Sequence, residues 1–429
     1  MEQQKLGGAV AHTQQDFISF GRAARGGGGP GRRRGRAPAG GGPLRARRAA
    51  ADWEAPTRPR PGRTPAPRHS CPWMEPGKVY SRGIVGLHEE IEDFYQYISP
   101  SPDEHHMRAL VYEAIRDVIK GVWSQAEVFI FGSFETGLYL PTSDIDMVVT
   151  GKWNNSPLEM LKDVLIRAKI CHPDSIRVLD KAAVPLIKLT DMRTNVKVDI
   201  SFNMTNGLIS ANRIKQYQAE YPHMPKLVMV LKQFLMQREL NQVFTGGISS
   251  YSIILMVVSF LQTHERALAV FPGCNLGVLL IEFFELYGLK FNYHGTCIRV
   301  KENGYAPRHE MEEQFVGVAT HNSPLCIEDP HNDSNDVGRS SYNMLKVKKA
   351  FTHAYHQLRF SVLAQGAAGD PSRASLLGRI VVIEDAVVEY RRWIRACFPA
   401  PEEEDGLARA GHAAPEQDAS DGSDADTRS

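Results

Sequence analysis

Cysteine is scarce: six residues in 429, at positions 71, 171, 274, 297, 326 and 397. No two form a C-x-x-C pair, and no histidine stands near them at ligand spacing. This argues against a zinc site and a disulfide framework, and it suits a reducing compartment. Long apolar runs are missing too. The longest, YSIILMVVSFL at Tyr251–Leu261, is too short to cross a bilayer and reads as a buried helix. The opening residues hold no apolar h-region, so neither a signal peptide nor a membrane association is expected. Net charge is almost absent at +1, but the total hides an asymmetry. Residues 1–70 carry 13 Arg and one Lys against four acids, a net of +10, and residues 400–429 carry nine acids against two Arg, a net of −7. A basic arm of this kind points to polyanion or nuclear-import contacts, or to a solvated tail.

Gly, Ala, Pro and Arg dominate the start of the chain (GRAARGGGGPGRRRGRAPAGGG). Such a segment buries too little apolar surface to offset its chain entropy, so residues 1–78 are expected to be a disordered arm. Residues 399–429 are expected to be a disordered acidic tail for the same reason. Order begins near Gly83. The apolar positions Leu87, Ile91, Phe94, Tyr95 and Ile98 have a helical period, SPSP at 99–102 breaks it, and a second helix is expected over about 103–123. AEVFIFG and IDMVVT read as strands around the short turn FETGLYL. A helix near 157–169 precedes three further strand-like runs, SIRVLDKAAV, PLIKLTD and VKVDISF. Beyond Phe202 the text becomes helix-periodic and rich in Leu, Met and Phe, while residues 301–324 look irregular. The fold class expected is α+β: a small mixed sheet over 83–203, then a mostly helical domain over 204–398, with helix 87–98 able to pack on the second domain.

Two carboxylates, Asp144 and Asp146, open the strand IDMVVT. Residues i and i+2 of a strand share a face, so both project together while Ile145 turns into the core. Like charges so close repel unless a cation lies between them, and oxygen donors suit Mg²⁺. A third acid fits: VKVDISF sets Val196, Val198 and Ile200 against Lys197, Asp199 and Ser201, so a neighbouring strand could bring Asp199 to the same place. Gly132-Ser133 supplies a turn where backbone can approach a phosphate, with the Ser133 hydroxyl as a further donor. A D-x-D pair alone is usually a capping or surface feature. The ordered set of strand, Gly-Ser, D-I-D, strand and a further Asp-bearing strand is much more specific. It reads as a metal-assisted phosphoryl-transfer site.

At these residues the chain resembles the DNA-polymerase-β-like nucleotidyltransferases, and more closely the Trf-type RNA poly(A) polymerases. The resemblance rests on FGSFETGLYLPTSDIDMVV, KVDISFN, LKQFL, FTGGISSYSIILM, LLIEFFELYG and IEDPHNDSNDVGRSSY, and it runs from about Gly83 to Trp393. It implies a nucleotidyltransferase palm over 83–203 and a central domain over 204–398. It also implies metal binding and catalysis by Asp144, Asp146 and Asp199, with Mg²⁺ or Mn²⁺ as cofactor and ATP as substrate. The nucleotide would meet Gly132, Ser133, Gly207 at the ribose, Lys232 and Ser250 at the phosphates, Tyr251 as a stacking face, and Asn335 and Arg339. Asn335 stands where related uridylyltransferases carry histidine, which favours ATP over UTP, with Glu328 and Asp329 on the same base-reading loop. The implied activity is template-independent addition of AMP to an RNA 3′ end in nuclear RNA surveillance, processing and turnover. The implied partners are a zinc-knuckle RNA-binding protein and an RNA helicase in a TRAMP-like complex. The implied location is the nucleoplasm or nucleolus, with the cytoplasm kept open. An acidic end replaces the basic extension usual in relatives. Two rivals therefore stay open: a catalytically idle RNA-processing scaffold, and a nucleotidyltransferase acting on a non-RNA acceptor.

Overall fold

The computed structural model describes residues 71–153, 156–182, 184–264, 274–315, 323–367 and 375–401. Of the arm expected over 1–78, residues 1–70 lie outside the described residues, but 71–78 do not fit a disordered arm: Trp73 is buried with its ring 5.3 Å from that of Phe94, and Lys78 pairs with Asp93 at 2.6 Å. Of the tail expected over 399–429, residues from 402 lie outside the described residues, while the Ala400 amide donates to Asp103 at 2.8 Å. Helix α1 (Gly83–Ile98) buries Leu87, Ile91, Phe94 and Ile98, one side of a 3.6-residue period. Helix α2 (Pro102–Val122) starts where SPSP ends the first. Ser101 accepts from the Glu104 amide at 3.2 Å, Glu104 accepts from the Ser101 amide at 2.8 Å, and Pro102 takes the first helical position.

Next come β1 (Glu127–Phe131), a one-turn helix α3 (Gly132–Thr136), β2 (Ile145–Thr150), α4 (Pro157–Arg167), β3 (Arg177–Leu179), β4 (Leu186–Thr190) and β5 (Lys197–Phe202). The five strands form one sheet in the order β1-β2-β5-β4-β3. Only the β2–β5 pair is parallel, and it sets Asp146 directly opposite Asp199. Strand β5 lies mid-sheet, so its second face is covered as well: Asp199 and Ser201 are buried along with Val198 and Ile200. A solvated sheet edge is thereby excluded for Asp199.

The helical part follows: α5 (Asn206–Glu220), α6 (Met224–Met236), α7 (Ser250–Thr263) and α8 (Leu276–Glu285). Strand β6 (Thr296–Arg299) lies just before the stretch expected to be irregular; within that stretch β7 (Gly304–Pro307) pairs with it and leads into α9 (Arg308–Glu312). A second hairpin, β8 (Glu328–Asp329) and β9 (Asn332–Asp336), precedes α10 (Met344–Ala367) and α11 (Asp385–Cys397).

Two large apolar cores result among the described residues, with a small third one at Cys297, Ala306, Met311, Phe315 and Cys326. Helix α1 joins the helical core with α6, α7, α8 and α10, where the rings of Phe234, Phe284 and Phe351 meet at 5.2–6.0 Å. At roughly 1.5–3 kcal/mol per fully buried large apolar side chain, its four core residues hold it there firmly. Helix α11 instead returns to the sheet. Ile394 and Phe398 enter the sheet's core, and Arg391 donates to Glu104 at 2.8 Å and to the Ser99 carbonyl at 3.0 Å. An amphipathic stripe in the sequence shows that a helix needs cover but not which core provides it.

Candidate active site

Where the sheet faces the helices, a cavity of about 470 Å³ opens. Its lining includes Asp144, Asp146, Asp199, Gly132, Ser133, Gly207, Lys232, Ser250, Tyr251 and Asn335. These residues come from β2, β5, α3, α5, α6, α7 and β9, and the fold gathers them into one place. Asp329 lines the cavity too, whereas Glu328 turns to Arg299, whose Nε lies 3.2 Å from it. Arg339, also expected at the nucleotide, is not among the residues that line this cavity. Asp336 Oδ1 accepts from the Gly338 amide at 2.8 Å.

Gly132 has φ +68°, and a Cβ there would stand 2.2 Å from Asp146 Oδ2. Glycine is therefore demanded twice, by backbone conformation and by the carboxylate pressed against it. A Cβ on Gly207 would meet the Phe131 ring at 2.4 Å, so α5 starts in contact with the end of β1.

Burial pushes all three carboxyls up. Asp146 rises furthest, through desolvation first and then through Asp199 and Asp144, while Lys188 and Lys232 oppose the shift. Asp199, only 4 % exposed, is pushed up to about 6 by desolvation, with Lys188 pulling it down. Asp144 is also raised by desolvation, against Lys197, Lys188 and Arg108. The donor set suits a hard divalent cation: three carboxylates on one wall, in like-charge conflict that a cation among them would relieve. As they stand, no three His, Cys, Asp or Glu side chains among the described residues form a ready metal cage, and Asp199 is engaged by the Lys188 ammonium instead. Lys188 had no functional place in the sequence reading. Its antiparallel register with Asp199 creates the pair, and a lysine inside the otherwise apolar PLIKLTD was the available signal.

Lys232 is buried, and its pKa is lowered to about 8 by desolvation, opposed by Asp146. Its ammonium donates to the Leu138 carbonyl. Arg108 of α2, missed in the sequence, is fully buried behind the same loop. Its Nη2 donates to the carbonyls of Pro141 at 3.1 Å and Ser143 at 2.8 Å, and the guanidinium lies 4.5 Å from the Tyr139 ring centroid. Two buried cations thus clamp residues 138–143, which lead into Asp144. On the opposite wall, Asn335 Nδ2 donates to Asp329 Oδ2 at 2.8 Å, which fixes the side chain within the hairpin. Tyr251 lies beside Ser210, its hydroxyl pKa raised by burial.

Asp336, behind the hairpin, is pushed up to about 6 by desolvation, although the Ile327 and Gly338 amides donate to it. Because its folded value exceeds the unfolded one near 3.8, the folded state binds the extra proton between about pH 4 and 6, and this contribution to stability is lost as pH rises through that window. Asp336→Asn should therefore gain on the wild type from pH 4 to 6, by up to about 2–3 kcal/mol, and hold its advantage above. Urea unfolding across that range measures it; parallel curves would contradict the assignment.

Known proteins share this architecture. A family model for the central palm domain of mitochondrial-like poly(A) RNA polymerase matches residues 87–219, and one for the Cid1 family of poly(A) polymerases, PAP-associated, matches 275–335. The Drosophila melanogaster protein Trf4-2, described as an inactive poly(A) RNA polymerase, is 40% identical over 76% of this chain and 81% of its own. Poly(A) RNA polymerase protein 2 of Saccharomyces cerevisiae is 38% identical over 68% of this chain, which spans 51% of that protein. The solved polymerase core of TRAMP, an RNA surveillance complex, is 37% identical, with a TM-score of 0.62 over 69% of this chain and 93% of that one.

Proposed function

The chain belongs to the Trf-type poly(A) RNA polymerases, and from that premise we propose that it adds AMP from ATP to RNA 3′-hydroxyls without a template. The supporting observation is the single cavity lined by three acids, the Gly132-Ser133 turn and the Asp329–Asn335 pair. Polymerases of this nucleotidyltransferase family generally use divalent metals and nucleoside triphosphates. Asp144, Asp146 and Asp199 would hold the metal, Mg²⁺ or Mn²⁺, which when bound neutralises charge on the triphosphate and acidifies the attacking hydroxyl.

The chain's own residues then bind and orient. Gly132 and Ser133 receive the triphosphate, Gly207 borders the ribose, Lys232 and Ser250 meet phosphate oxygens, and Tyr251 offers its ring to the base. The RNA 3′-oxygen attacks the α-phosphorus of ATP, its proton passes toward the Asp199 carboxylate, and pyrophosphate leaves. Asn335, fixed on Asp329, presents an amide edge to adenine. In vivo, the reading extends to nuclear RNA surveillance within a TRAMP-like assembly, with a zinc-knuckle protein and a helicase as partners.

Primer extension with each of the four ribonucleotides separately tests this. ATP should be the preferred substrate and UTP a poor one, in Mg²⁺ or Mn²⁺. Preferred incorporation of UTP would remove the role given to Asn335. The name of Trf4-2 favours a second reading, an idle RNA-processing scaffold. A protein that binds primer yet incorporates no nucleotide with either metal would establish it.

A further inference from the structure

Beside the cavity, residues 241–247 lie in the loop between α6 and α7. Asn241 and Gln242 line the cavity at one end of this loop, and Ser249, Ser250 and Tyr251 line it just beyond the other. Between them Phe244 stands 63 % exposed. Tyr342, 50 % exposed, is tied to the same loop: its hydroxyl donates to the Phe244 carbonyl at 2.7 Å, and its ring lies against the Gly246 backbone. Asn343 completes the staple, donating from its amide to Gly246 at 2.9 Å and from its side chain to the Thr245 carbonyl. The backbone that carries Phe244 and the Tyr342 ring are therefore tied together by hydrogen bonds, which lowers the ordering cost of any contact they make.

The charge beside them has one sign. Lys346 and Lys349 are exposed on the first turns of α10, with Leu345 exposed just before Lys346. Three residues apart in α10, the two lysines share a face of that helix, whose first residue follows Tyr342 by two. Among the described residues no carboxylate lies within ion-pair reach of either lysine. Exposed rings with unshared lysines, continuous with a nucleotide-sized cavity, match one kind of ligand: a flexible polyanion carrying flat, stackable groups.

We propose that single-stranded RNA just upstream of its 3′ end stacks on Phe244 and Tyr342 while Lys346 and Lys349 meet its phosphates. This acceptor platform rests on the polymerase reading, because it is the RNA 3′ end that must enter the cavity. The rings hold bases without reading them, so the platform selects single strands and not sequences.

The test is anisotropy binding of a labelled 15-nucleotide oligo(A) to the full chain without nucleotide, together with primer-extension kinetics. Phe244→Ala should weaken binding about tenfold or more, the effect of losing one stacking ring, and Phe244→Trp should restore it. Tyr342→Phe, which keeps the ring and loses the hydroxyl, should bind nearly as the wild type does. Lys346→Ala and Lys349→Ala should each lower the salt slope of binding by about one. In extension, Phe244→Ala should raise KM for primer and leave KM for ATP unchanged. Unaltered primer binding by Phe244→Ala, as expected if the patch docks a protein instead, overturns the proposal, and so does a wild-type chain that does not bind the oligonucleotide. A Phe244-dependent affinity in a chain that never extends the primer supports the platform while rejecting the polymerase reading.

Discussion

Asp146→Asn should lose primer extension by at least about a thousandfold, the scale on which active-site electrostatics act, and melt at or above the wild-type temperature at pH 7. The two outcomes share one cause. Asp146 bears the heaviest like-charge burden of the three acids, because burial, Asp199 and Asp144 all oppose its ionisation. An amide of the same shape still fits against Gly132, where the carboxylate now sits, and removes that opposition. A residue kept for packing would behave oppositely, with activity surviving and stability falling. The stricter form is the double change Asp144→Ala and Asp146→Ala. If such a protein stays folded and still elongates oligo(A), Asp144 and Asp146 do not do the chemistry. Extension lost together with a large drop in melting temperature would leave only a structural role.

The contrast between Asp146 and Lys188 explains what could be read before any coordinates. Alternation along SDIDMVV and VKVDISF places the acids on one face of each strand, because side-chain period is a local property of the backbone. The Gly-Ser turn was equally legible, since φ +68° is a demand that few residues but glycine meet. Strand order is not local. That β4 and not β3 lies beside β5, and so brings Lys188 to Asp199, depends on the closing of the whole sheet. The same limit hid the return of α11 to the sheet: Tyr390, Trp393 and Ile394 mark a face that must be covered, and only the tertiary fold names Glu104 and α2 as its partners.

Arg108 left no trace in the sequence, being one cation beside the apolar stripe of α2, yet its replacement should be among the costliest. Arg108→Met should destabilise the protein by roughly 2–4 kcal/mol, the scale for leaving buried carbonyls without their donor. The carbonyls of buried Pro141 and half-buried Ser143 would lose their donor, and the Tyr139 ring would lose its cation. Part of the loop has its own support, because Ser143 Oγ accepts from the Leu140 amide at 3.0 Å and Lys232 holds Leu138 from the other side. The damage should therefore concentrate at the end that leads into Asp144. Arg108→Lys, which keeps the charge and loses the fork, separates the two effects. It should recover much of the stability measured by urea unfolding, while half-maximal extension should require several-fold more Mg²⁺ than in the wild type, because one point donor cannot hold two carbonyls in register. If Arg108→Lys matched the wild type in both measurements, charge alone would account for the site. If Arg108→Met unfolded like the wild type, the Leu140–Ser143 turn would be holding the loop by itself.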